Sequence, residues 1–154
     1  DEGGAWPSVS LGIDEATTAV AAEAVGLMRK VLADTVEYTK QRRQFGHPIG
    51  SFQALQHRMV DMYMELEQAI SAVYLAVMHL EADDLVRARS VSATKATISR
   101  AARFIGQNAV QLHGGMGMTE ELAVGHYFKR LTAIEYEFGT ADHHIARYAE
   151  LTKA

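Results

Sequence analysis

The apolar positions of this 154-residue chain recur at helical spacing along most of its length. From about Ile13 to Arg43, residues Val20, Ala24, Leu27, Val31 and Tyr38 fall three, four or seven apart, which sets them on one face of an amphipathic helix. That helix must stop at "FGHPIG", because Gly46, Pro48 and Gly50 continue it poorly. Ser51 then serves as the expected N-cap of a second helix, its hydroxyl accepting from a free N–H of the first turn. Beyond it Leu55, Met59, Met62, Leu66, Ala69, Val73, Val77 and Leu80 step by three and four, a seam that packs helices nearly parallel or antiparallel. The polar "EADD", Glu81 to Asp84, makes a turn. A third helix from about Leu85 to Leu112 carries Thr94, Ile98, Ala101, Ile105, Ala109 and Leu112, with many alanines that permit close approach.

Two shorter helices follow. Thr119 in "TEE" is the expected cap of one running to about Arg130, with Glu120 and Glu121 complementing its positive end. Thr140 caps the last, with Asp142 in the first turn. The expected fold is all-α, an antiparallel up-and-down four-helix bundle with a short additional helix. Residues 1–10 are expected to form a linker and residues 11–154 the bundle.

Composition narrows the class. Apolar residues make up 48% and charged residues 22%, which excludes a disordered chain. Net charge is −4 and the longest basic run is "KQRR", Lys40 to Arg43, so an extended nucleic-acid surface is not expected. With no cysteine the chain has no disulfide and no thiolate metal site; this fits a reducing compartment, and a cytoplasmic location is expected. No apolar run approaches the ~18 residues of a membrane span. Asp1 in place of an initiator Met is what a fragment or a processed product would show.

The candidate chemistry lies between the helices. In "QLHGGMGMTEE", Gly114 or Gly115 at C′ in a left-handed conformation would end the third helix, yet three glycines within four residues exceed what a cap needs. Neither a preceding strand nor the glycine spacing of a dinucleotide fingerprint or P-loop is present. Di-iron chemistry in a bundle needs Glu-x-x-His pairs, and no histidine here has a glutamate three residues before it. Adjacent His143 and His144 point about 100° apart on a helix and do not share a metal. "QRRQFG" is a suitable basic helix end, and its arginine fork beside Phe45 also suits a nucleotide-bearing ligand.

Taken together, "RRQFGHPIGSFQ" (Arg42 to Gln53), "QLHGGMGMTEE" and "FGTADHH" resemble the C-terminal domain of the acyl-CoA dehydrogenase family, from about Leu11 onwards. Members of that family oxidise acyl-CoA thioesters at the α,β-carbons with FAD, using an N-terminal helical domain, a middle β-domain and this bundle. The resemblance therefore implies FAD as cofactor, an acyl-CoA substrate and an electron-transfer partner. It also implies assembly as a homodimer, a homotetramer or a pair with a homologous dehydrogenase subunit. It implies that Arg42 and Phe45 meet the FAD of a neighbouring subunit. Gln111, Gly114 and Gly115 would meet its pyrophosphate and adenosine side, and Thr140 would lie beside the subunit's own FAD. Gln53, closing the first motif, is counted with these cofactor contacts.

The catalytic base is left open. The family's usual glutamate position falls on Phe138, with Glu137 one residue earlier; the minority position on the first helix falls on Ala16, beside Glu15. A one-residue shift on a helix turns a side chain by about 100°, so a neighbour is a poor substitute. Either Glu137 or Glu15 is the base, or a homologous partner subunit supplies it, as in heteromeric members acting on sterol side-chain CoA esters. The competing class is a non-catalytic helical dimerisation or interaction module.

Overall fold

The computed structural model describes residues 4–153. Among them run five α-helices: α1 (Trp6–Gln41), α2 (Gln53–Met78), α3 (Asp84–His113), α4 (Val124–Tyr136) and α5 (Ala141–Lys153). Two-residue strands β1 (Arg43–Gln44) and β2 (His47–Pro48) pair as a hairpin between α1 and α2, and single 3-10 turns span Ile49–Ser51 and Gly114–Met118. Helix α3 lies at the centre and packs on all four others. The all-α bundle expected from the periodicity is present. No described helix is long and apolar enough to cross a membrane.

Helix α1 begins at Trp6, within the residues 1–10 expected to form a linker. Pro7 sits in its first turn, where the missing N–H has no intrahelical partner to lose. Its buried face is also rotated from the expected one. Ala24 and Val31 are buried as predicted, whereas Val20 and Leu27 are only half-buried; the seam runs through Asp14, Thr17, Ala21, Met28, Leu32, Thr35 and Thr39. Threonine can hold these positions because its hydroxyl is satisfied within the helix. Thr17 donates to the Ile13 carbonyl at 2.7 Å and Thr35 to that of Val31 at 2.7 Å.

Along α2 the inner positions Met62, Leu66 and Ala69 are buried as expected, but Ala76 replaces Val77 inside, since a 3–4 seam drifts on a helix of 3.6 residues per turn. All six predicted seam residues of α3 are buried. Its cap is Asp83, whose carboxylate accepts from the N–H groups of Leu85 (3.1 Å) and Val86 (3.0 Å).

Two expected caps are corrected. Ser51 belongs to a 3-10 turn and donates to the Pro48 carbonyl at 2.7 Å, leaving Phe52 at the N-cap of α2. Thr119 donates to the Met116 carbonyl at 3.0 Å, and α4 starts at Val124 and runs to Tyr136, past Arg130. In both cases the preceding 3-10 turn takes up the hydroxyl before a helix can use it. The expected Thr140 cap is formed: Oγ1 accepts from the His143 N–H at 3.3 Å.

An ionic cluster ties α1, α3 and α5. Asp14 is fully buried; its Oδ2 accepts from Arg87 Nε at 3.4 Å and its Oδ1 from Arg147 Nη1 at 2.9 Å, and Arg147 also reaches Ser92 Oγ at 3.3 Å. Removing one member of such a group leaves charge stranded away from water. Asp14→Ala should therefore destabilise the fold by about 3–5 kcal/mol in urea unfolding followed by circular dichroism, whereas Lys30→Ala, which breaks the exposed pair with Asp34, should leave the midpoint unchanged.

Candidate functional site

The first group of sequence-predicted residues gathers where α1 and α3 both end. Beyond Gln41 the chain turns extended at Arg42, whose N–H donates to the Tyr38 carbonyl at 2.8 Å, and enters the β1–β2 hairpin. Its two turn residues, Phe45 and Gly46, have φ of +54° and +82°, the mirror-image turn that matches strand twist. The turn holds Phe45 out, 88% exposed and edge-on to Phe52. This hairpin stands where sequence reasoning expected only a helix stop; two residues per strand are too few to show an alternating pattern.

Tyr38 brings the two helix ends together. Its ring stacks on His113 with centroids 4.3 Å apart, and its hydroxyl donates to the His113 carbonyl at 3.3 Å. Arg42 consequently shares one cavity of about 410 Å³ with Gln44, Gln111, Gly114 and Gly115. Phe45 and Gln53, both exposed, are not among the residues lining it.

The glycines of the loop are there for different reasons. Gly114, at φ +59° and ψ −139°, ends α3 in a conformation a side chain would strain; it has the positive φ expected, but not the αL ψ. A Cβ on Gly117 would lie 2.7 Å from the Val110 carbonyl oxygen, so close packing excludes one. Gly115 has neither constraint: its φ is not positive and a Cβ there would meet nothing within 4 Å. The space over Gly115 opens to the cavity.

Thr140 lies elsewhere, in a cavity of about 500 Å³ with Ser99, Arg103, Gln107, Glu135 and Asp142. Lys95, bonded to the neighbouring Gly139, is sixteen residues from Gln111 on α3, or ~24 Å along the axis. The two sets of predicted contacts therefore line different cavities of one chain.

A third cavity, also about 500 Å³, is walled by Trp6, Ile13 and Phe138, with Ser10, His143 and Arg147. The two candidate glutamates are not among its lining residues. Glu137 instead bonds Arg130 Nη1 at 2.5 Å; Arg130 also grips Glu23 through Nε at 2.6 Å and Nη2 at 2.7 Å. Those hydrogen bonds hold the Glu23 carboxyl below its ordinary value and the Arg130 guanidinium above its own. Glu15 is exposed on α1. Among the described residues no group of three histidines, aspartates or glutamates is placed to hold a metal ion.

Sequence reasoning missed the buried polar groups around the Phe138 turn. Lys95 is fully buried and His144 nearly so. Lys95 follows Thr94 and precedes Ser99 by one helical turn, so its place on the inner face was readable, but its acceptors, backbone carbonyls forty and more residues away, were not. Asp14 likewise begins the threonine and alanine face of α1, a signal available in the spacing.

A sequence profile described as "Acyl-CoA dehydrogenase, C-terminal domain" matches residues 3–151, and the chain belongs to the acyl-CoA dehydrogenase family. Acyl-CoA dehydrogenase IpdE2 of Mycolicibacterium smegmatis is 43% identical over 119 residues, covering 76% of this chain and 36% of that protein. Among solved structures, the Tcur3481–Tcur3483 steroid ACAD superposes with a TM-score of 0.87 at 30% identity, covering 91% of this chain and 38% of that one. PigA, solved with FAD and proline, gives 0.84 at 29% identity over 92% and 37% of the two chains. The chain thus spans a little over a third of the length of these relatives.

His144 gives the site a pH signature. Burial, opposed by a hydrogen bond to the Phe138 carbonyl, pushes its imidazole from 6.5 down to about 4, so it stays neutral in the fold while the unfolded chain takes up a proton below 6.5. Stability from this group is complete above pH 6.5 and is lost as pH falls towards 4, by on the order of 3 kcal/mol. Urea midpoints measured from pH 7 to 4 should fall less steeply in His144→Phe than in the parent chain.

Proposed function

We propose that this chain is the flavin-contacting and subunit-joining C-terminal domain of an FAD-dependent acyl-CoA dehydrogenase, in a subunit whose homologous partner supplies the catalytic carboxylate. The observation that carries the first half is the convergence of Arg42, Gln111, Gly114 and Gly115 on one open cavity. These residues fit a dinucleotide. The guanidinium suits phosphate oxygens, the amide gives paired donor and acceptor groups, and the space over Gly115 admits a ligand close to backbone. Thr140, in a different cavity, faces a second cofactor position, so each chain touches cofactor in two places. FAD, when bound, supplies the acceptor for the hydride that leaves the substrate's β-carbon.

The second half rests on the missing base. Removal of the α-proton needs a carboxylate beside the substrate. Here Phe138 stands in the usual position, Glu137 is bound to Arg130, and Glu15 lies outside the cavity that Phe138 walls. What this chain does at that place is present an apolar wall. The likeness to the Tcur3481–Tcur3483 steroid ACAD, whose name joins two proteins, supports a heteromeric partner over a homodimer or homotetramer. Exposed Val60, Tyr63, Met64, Tyr74, Leu75 and Met78 along α2 supply apolar surface for such an assembly. Electrons would pass from the reduced flavin to a separate acceptor protein.

The test uses the full-length subunit with and without its co-expressed homologue. The subunit alone should not dehydrogenate acyl-CoA, and Glu137→Gln should leave the activity of the assembled enzyme unchanged. Activity of the lone subunit that Glu137→Gln abolishes would overturn the missing-base reading. Arg42→Ala and Gln111→Ala should each weaken FAD retention by about tenfold, read by flavin fluorescence on dilution; no change in either would leave a helical interaction module as the better account.

A further inference from the structure

The turn between α4 and α5 is bent in a way its own sequence does not favour, and two buried side chains hold it from beneath. Phe138 has φ +56°, which non-glycine residues rarely adopt, and Gly139 follows at +109°. The Gly139 carbonyl accepts from Lys95 Nζ at 2.8 Å, and the Phe138 carbonyl is bonded by His144 Nε2 at 2.9 Å, which assigns the proton to that nitrogen. Lys95 spends its remaining donors on the Glu135 carbonyl (3.1 Å) and Ser99 Oγ (3.3 Å), so that three N–H groups meet three neutral acceptors. Among the described residues it pairs with no carboxylate. Replacing a buried charged group by an apolar side chain of similar volume is often neutral or stabilising, so the role argued for Lys95 is a geometric one.

That geometry reaches Thr140. Once the two preceding carbonyls are fixed, the direction in which the chain enters α5 is fixed, and with it the Thr140 hydroxyl and the first free N–H groups of the helix. We propose that Lys95 and His144 are positioning residues that lock the Phe138–Gly139 turn and through it set Thr140 against the flavin. This inference rests on the flavin reading of Thr140 given above.

The test compares Lys95→Met, His144→Phe and Thr140→Ala in the full-length, assembled protein. FAD affinity and the visible absorption spectrum of the flavin are read at a temperature where circular dichroism shows each variant fully folded. Loss of one anchoring hydrogen bond should weaken FAD binding by about tenfold and shift the flavin bands in both anchor variants. A purely structural role would lower the melting temperature and leave affinity and spectrum unchanged, which would overturn the inference. If Thr140→Ala weakens FAD while the anchor variants do not, the positioning claim alone fails; if all three leave the flavin unaltered, the flavin reading of this turn fails and the inference with it. Should Lys95→Met not fold, His144→Phe decides by the same criteria.

Discussion

Every other helix of this bundle leans on α3, and that is possible only because the buried sides of α3 are built from small residues. Ala88, Ser92, Ala101, Ala102, Gly106 and Ala109 are interleaved with Ile98 and Ile105. Small side chains let four neighbours approach one axis, and the two isoleucines fill what remains. At Gly106 the fit is tight enough that a Cβ would lie 3.0 Å from the Phe128 ring. A helix enclosed on this many sides cannot shift without disturbing all its contacts. Whatever it carries at its ends and along its face is therefore held at fixed positions.

Both candidate surfaces inherit their placement from that helix. At its C-terminal end, Gly114 ends the helix and His113 meets Tyr38, which delivers Arg42 to the same cavity. Further back, Lys95 reaches under the α4–α5 turn and Arg103 pairs with Glu135. Loops that would otherwise be free to wander are thus pinned by side chains of the most enclosed element. The exposed Arg130 cluster plays a smaller part, joining α1 to the same turn through Glu23 and Glu137.

Much of this was legible in the residues. The spacing of Thr94, Ile98, Ala101, Ile105, Ala109 and Leu112 located the buried side of α3, and Arg42, Gln111, Gly114 and Gly115 were named before their common cavity was visible. Local chemistry was the weaker guide: Ser51 and Thr119 have the composition of caps, but Ser51 ends one 3-10 turn and Thr119 directly follows another, and in each case a carbonyl of that segment engages the hydroxyl first. Long-range polar partnerships were not legible at all. Asp14 finds Arg87 and Arg147 across 73 and 133 residues of sequence, and no local pattern encodes such a meeting.

The bent turn at Phe138 is held through the carbonyls of Phe138 and Gly139, which accept from His144 and Lys95, and these bonds do not involve the phenyl ring. The backbone therefore does not record which side chain it displays. One side chain can therefore be exchanged for another at this place while the frame that presents it stays the same.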